Sequence, residues 1–225
     1  LELNCETDFV SRNEDFQKFA QEAAELAIQN KVTSIQELEG IKMGSGDSVK
    51  ECLTNLIATI GENMSLRRVS LLNASNGVVV GYSHMGGKIG SLVQLEGATG
   101  DDVLAIGKDV AMHAAASAPK YLTSAEVNPA ELEQEKEIAR KKLLEEGKPE
   151  DMIEKILQGQ MSKFYKEVCL LEQPFVKEPK MSVKKYVADA KSGLEVKGFI
   201  RFQLGEGIEK KQENFAEEVA AQLKK

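Results

Sequence analysis

Leu3-Asn4-Cys5-Glu6-Thr7-Asp8-Phe9-Val10 leads, after a few polar residues, into Phe16 and then Phe19-Ala20-Gln21-Glu22-Ala23-Ala24-Glu25-Leu26-Ala27. A short apolar strand gives way to a polar turn and then to an alanine-rich amphipathic helix, read over Phe16 to Asn30. The same order recurs at Ile89 to Leu95, the loop Gly97 to Asp102 and the helix segment Ile106 to Ala114. It recurs again at Phe199 to Leu204, the loop Gly205 to Gly207 and the helix Phe215 to Leu223. Small side chains on one face let a helix lie close to a sheet while helix propensity stays high. The repetition predicts duplication of an α+β unit: two related subdomains with antiparallel sheets and packed helices.

Between the first two copies the sequence predicts a helix over Ser48 to Ile60 and two strands, Leu66 to Asn73 and Val78 to His84. Their connection, Ala74-Ser75-Asn76-Gly77, ends in Asn-Gly, a hairpin turn signal that predicts antiparallel pairing of those two strands. The segment 129–172 breaks the pattern. Glu131, Glu133, Glu135, Lys136, Glu137, Arg140, Lys141 and Lys142 fall in one charged helix, and Gly147 with Pro149 marks a stop and a new start. Leu157, Met161, Phe164, Val168 and Leu171 then recur in steps of four and three, a coiled-coil seam. An antiparallel helical hairpin inserted into the second subdomain is expected. The division is therefore 1–72, then 73–128 with 173–208, the arm 129–172, and a C-terminal helix module 209–225.

The 225 residues are 42% hydrophobic, enough for real cores, and carry a formal net charge of -7. That balance argues against sequence-independent binding to phosphate backbones, which needs clustered cations. Cys5, Cys52 and Cys169 are odd in number and widely spaced, which indicates neither a disulfide framework nor a zinc site and fits a reducing compartment. No apolar run approaches the roughly 20 residues of a membrane helix. A soluble intracellular protein is expected. Leu1-Glu2-Leu3-Asn4 reads as the interior of a strand with no initiator Met, so a truncated chain is expected.

Gly86-Gly87-Lys88-Ile89-Gly90 lacks the Ser or Thr and the helix start of a phosphate loop, so no bound nucleotide is expected. Gly205-Glu206-Gly207 puts a carboxylate where a pyrophosphate would sit and reads as a tight turn. His84 and His113 have no carboxylate or cysteine at metal-ligand spacing, so no metal and no cofactor are expected. A nucleophile-histidine arrangement using Cys5 or Ser83 with His84 or His113 stays open as a hydrolase reading. A coiled-coil scaffold is a second alternative. Phe9, at a strand exit, is either a core residue or an anchor for a partner, and Thr7 and Asp8 can fix its direction by bonding their own backbone. His113, on the alanine-rich helix, reads on its own as a satisfied histidine at the helix surface.

An ordered series of motifs carries a family resemblance over essentially the whole chain. It comprises Asn4 to Val10 with Asn13 and Phe16, Ile60-Gly61-Glu62-Asn63 with Arg67-Arg68-Val69, Lys88-Ile89-Gly90 and Ala111-Met112-His113. It continues with Gln173-Pro174-Phe175-Val176 and with Gly198-Phe199-Ile200-Arg201-Phe202 running on to Gly205-Glu206-Gly207-Ile208. In these the sequence resembles elongation factor Ts, the nucleotide-exchange factor family that acts on the translation GTPase elongation factor Tu. The resemblance implies a core of two α+β subdomains with a coiled-coil hairpin and no covalent chemistry. It implies that Thr7, Asp8, Phe9 and Val10 bind the GTPase domain, with Phe9 wedged between two of its helices. Ile89, Gly90, Met112 and His113 would touch the same domain, and Val176 would lie near the partner's third domain. The family's small ubiquitin-associated-like domain has no counterpart in these residues. A bacterial cytoplasm, or an organelle matrix or stroma, is the implied setting, and dimerisation through the hairpin is an open possibility.

Overall fold

The structure is a computed structural model that describes residues 1–208; the C-terminal module at 209–225, with the third copy's helix, lies outside the described residues. The first core begins with β1 (Glu2–Cys5), the single-turn helix α1 (Asp8–Ser11) and α2 (Glu14–Gln29). It continues with α3 (Ile35–Glu39), α4 (Val49–Ile60) and β2 (Met64–Arg68). Local chemistry starts each helix. Asn13 accepts from the amides of Asp15 and Phe16, Ser34 from that of Glu37, and Ser48 with Glu51 forms a reciprocal capping box. β1 pairs antiparallel with β2, Cys5 opposite Met64. Val10, Phe16, Phe19, Ala23, Leu38, Val49, Leu53 and Leu66 bury one face of each element in a common cluster.

The second core holds a three-stranded antiparallel sheet of β3 (Gly77–His84), β4 (Ile89–Glu96) and β7 (Glu195–Gln203), in the order β3-β4-β7. Helix α5 (Asp101–Ser117) packs across it. The short pair β5 (Pro174–Phe175) and β6 (Glu178–Ser182), followed by α8 (Val183–Ala190), closes the cluster around Phe175, Val183 and Val187.

The hairpin expected between Leu66–Asn73 and Val78–His84 does not form. β3 pairs with β4 in register from Gly77↔Glu96 to His84↔Ile89, and β2 ends at Arg68 against β1. The reversal instead uses Met85, Gly86 and Gly87, all with positive φ, and the Gly87 amide donates to the His84 carbonyl at 3.2 Å. Asn76-Gly77 has another purpose. The Ser75 and Asn76 amides donate to the Glu96 carboxylate, and a Cβ on Gly77 would fall 1.8 Å from the Leu95 carbonyl oxygen. That glycine is required by close approach to β4, not by a turn.

The arm consists of α6 (Pro129–Glu145) and α7 (Glu150–Val168), packed on each other through Leu143, Ile153 and Leu157. Proline opens α6 and Gly147, at φ 71°, ends it. The seam starts one turn earlier than expected, at Ile153. Leu171 lies past the end of α7 and packs on the second core. Tyr121 and Lys120 hold the root of the arm through the Glu131 carboxylate, at 2.5 and 2.8 Å.

Two arginines join the cores. Glu2, buried in β1, accepts from Arg67 and Arg68 of β2; Arg68 then reaches Glu206, just past the end of β7, at 3.0 Å and lies 4.1 Å over the ring of Phe202 within β7. Burial raises the affinity of Glu2 for a proton, but the hydrogen bonds from Arg68, Arg67 and Asn4 outweigh it and hold the carboxyl below its ordinary value.

Gly107 marks where α5 meets the sheet. A Cβ there would lie 2.5 Å from Val80 Cγ2 and 3.1 Å from Leu95 Cδ1. Alanine in a helix interior normally stabilises by about 1 kcal/mol relative to glycine, whereas overpacking a stiff β-branched neighbour costs about 1–3 kcal/mol. Gly107→Ala should therefore lower stability by about 1 kcal/mol in urea unfolding, and a stabilised variant would contradict the close packing.

Candidate partner-binding site

The site is built from the turn after β1. Thr7 is the N-cap of α1, its Oγ1 accepting from the Val10 amide at 3.4 Å. Val10 is buried in the first core, and one helical step of about 100° earlier Phe9 points away from it, 87% exposed. The core reading of Phe9 is thereby excluded. Val10, Phe16 and Phe19 supply the apolar side chains of that region, leaving the Phe9 ring in solvent.

The turn is held from outside. The Thr7 amide donates to Glu62 Oε2 at 3.1 Å and Thr7 Oγ1 donates to Glu62 Oε1 at 2.7 Å, while Asn63 Nδ2 donates to Glu6 Oε1 at 2.8 Å. Gly61, left-handed at φ 81°, ends α4 and turns the chain so that Glu62 and Asn63 face the turn. Glu62 belongs to a motif quoted from the sequence, but its role was not legible there. The signal is the register: with Cys5 opposite Met64, Thr7 lies two residues beyond one partner and Glu62 two residues before the other.

Asp8 pairs with Lys88 across the junction between the cores, at 3.2 Å. The pair is solvent-exposed and worth about 0–1 kcal/mol, so its importance is positional. It places the Phe9 turn beside the start of β4, where Ile89 and Gly90 are half-buried. A cleft of about 810 Å³ opens between the cores there, lined among others by Cys5, Asp8, Tyr82, Ser83, Lys88 and Phe202. Further along, Ser91 Oγ donates to the Ala111 carbonyl at 2.7 Å, tying β4 to α5 next to Met112.

His113 is not at the surface. It is fully buried, contrary to the surface position expected for it, and cannot itself touch a partner in this conformation. The Val176 amide donates to its Nδ1 at 3.1 Å, which puts the proton on Nε2, and Nε2 donates to Gln173 Oε1 at 2.9 Å. The Gln173 amide group in turn donates to the carbonyls of Ser117 and Glu167. His113 therefore fixes the backbone that presents Val176, which is exposed. The structure brings Asp8 together with Lys88, and His113 with Val176; no hydrogen bond or ion pair joins the two groups directly among the described residues.

The hydrolase arrangement is not assembled. His84 Nδ1 meets the Tyr82 hydroxyl at 3.2 Å, and His113 is committed to Gln173 and Val176. Cys5 Sγ donates to the Thr7 carbonyl, and burial with the nearby Glu62 charge pushes its thiol pKa up, opposite to what a nucleophile needs. Among the described residues no cluster of three or more metal-ligating side chains occurs, and no helix is long and apolar enough to cross a membrane.

The fold is thus two α+β cores with a clamped turn that displays an aromatic ring beside their junction. Comparison with known proteins gives the family. The Elongation factor TS family matches residues 6–206. Elongation factor Ts of Clostridium botulinum (strain Alaska E43 / Type E3) is 46% identical over 230 residues, covering 100% of this chain and 76% of that protein. Elongation factor Ts of Magnetococcus marinus is 47% identical over 226 residues, covering 98% and 75%, and that of Clostridium perfringens (strain SM101 / Type A) 46% over 225 residues, covering 98% and 74%. The chain belongs to the elongation factor Ts family, a family of translation elongation factors.

Burial lowers the His113 pKa from its ordinary 6.5, more than the Gln173 bond raises it. The unfolded imidazole thus takes up a proton that the folded one resists. Stability is full above about pH 6.5 and declines as the pH falls toward the depressed folded value. Urea midpoints should fall as the pH drops below about 6.5 and do so less in His113→Gln; equal pH profiles for the two proteins would contradict the buried neutral histidine.

Proposed function

We propose that this chain is a guanine nucleotide exchange factor that binds elongation factor Tu and promotes release of GDP. The observation that carries the reading is Phe9, almost fully exposed on a turn held by capping and by Glu62. An exposed aromatic on an ordered turn gives up burial in its own core and has little ordering entropy left to lose on docking. Inserted between two helices of the GTPase domain, the ring would shift the loops that hold magnesium and the GDP phosphates. Thr7 and Val10 set the turn, Asp8 flanks the ring, and Ile89, Gly90 and Met112 extend the contact along β4 and α5. Val176, with its backbone fixed by His113, provides a second contact. The companion setting is the bacterial cytoplasm, where no cofactor of the chain's own is required.

The exchange follows from linkage. A factor that binds the nucleotide-free GTPase more tightly than the GDP form must lower GDP affinity by the same ratio. Equal affinity for both forms would shift nothing.

Phe9→Ala is expected to slow catalysed release of a fluorescent GDP from elongation factor Tu by on the order of tenfold or more, the loss of one buried aromatic contact. Thermal melting of the variant should change little, since an exposed position contributes within about 0.5 kcal/mol. Unaltered release would sink the wedge, and a large loss of stability would return Phe9 to the core.

A further inference from the structure

We propose that Glu62 is a positioning residue for exchange: its carboxylate clamps Thr7 and so aims the Phe9 ring. The inference rests on the reading of Phe9 as the group that enters the partner, and it assigns to Glu62 a role that the ring cannot fill alone.

The need for a clamp is physical. α1 is four residues long, a single turn, and a single turn fixes several backbone angles for very few hydrogen bonds, so it does not persist unaided. Its N-terminal cap bond, from the Val10 amide to Thr7 Oγ1, is long at 3.4 Å. What fixes Thr7 itself is Glu62, which accepts from both the amide and the hydroxyl, at 3.1 and 2.7 Å. Hydrogen bonds to a carboxylate are roughly twice as strong as neutral ones, and two from one residue fix direction as well as distance. The Thr7 hydroxyl, having donated its proton to Glu62, has its lone pairs free for the Val10 amide, so the clamp and the cap reinforce each other.

Glu62 makes no ion pair among the described residues, and its side-chain hydrogen bonds both go to Thr7. It is only half-buried and belongs to no hydrophobic cluster. Its effect is therefore local: with the clamp in place the ring is offered in one direction. Without it the turn samples several, and docking must pay to order it. Misplacement of a contacting group by about 1 Å can cost a factor of a hundred in rate.

The test is a double-mutant cycle read by catalysed GDP release, with amide hydrogen exchange on the free protein. Glu62→Ala should slow release by roughly tenfold and speed exchange at Thr7 and Val10 while protection of the first core is kept. Glu62→Gln, which can still accept from one Thr7 group and donate to the other, should recover part of the rate. In a Phe9→Ala background, Glu62→Ala should slow release no further, because an aiming residue has nothing left to aim. Full additivity in that background, or release at the wild-type rate in Glu62→Ala alone, would overturn the role. Phe9→Ala with wild-type release would overturn the wedge reading itself, an outcome separate from either.

Discussion

The relative placement of the two cores depends on the Glu2 carboxylate, to which Arg67 and Arg68 both donate before Arg68 reaches on to Glu206 and the Phe202 ring. A buried carboxylate with two guanidinium partners fixes geometry more than it adds stability, because desolvation offsets much of the Coulomb gain. Its value here is that a polar junction permits few arrangements. Arginine suits it, since the planar fork satisfies Glu2 while the same group faces a ring and a second acid. The junction sets the distance that Asp8 and Lys88 then span.

The residues proposed to face the partner come from both sides of that junction. The first core contributes the Phe9 turn, locked by the β1–β2 register through Glu62 and Asn63. The second contributes the start of β4 and, through Ser91 and the Ala111 carbonyl, the end of α5. His113 acts inward, as a neutral imidazole between Gln173 and the Val176 amide. A histidine is a good choice there because one neutral ring can accept from an amide and donate to a carbonyl at once. Exposed hydrophobic groups and buried polar ones are thus divided between presentation and support.

Helix and strand periodicity made most of the elements legible from sequence. The helix read from Ser48 and the break read at Gly147 and Pro149 mark helix bounds that the structure shows, and the strand-loop-helix order at 3–30 and 89–114 is present. What failed was pairing. Asn76-Gly77 carries a turn signal, yet its glycine serves close approach to Leu95, and the turn lies at Met85 to Gly87, where a methionine adopts positive φ beside two glycines. Local propensity cannot distinguish these, because a glycine reads the same in sequence whether it supplies a positive φ or the missing Cβ of a close approach. The candidate site was legible where a motif marks it, as at Thr7 to Val10, whose turn and exposed Phe9 the structure shows. It was not legible where support runs through a long-range contact, as with Glu62 to Thr7 or His113 to Val176, since only the folded register brings those groups together.

Exchange of the kind proposed is a matter of differential binding and lies in a ratio of affinities. The direct measurement is the dissociation constant of the chain for nucleotide-free elongation factor Tu and for the GDP-bound form, by titration under one set of magnesium and salt conditions. Tighter binding to the empty form is expected, by the same factor that the chain weakens GDP binding, with Phe9→Ala narrowing that factor. Equal affinity for the two forms, however tight, would contradict it.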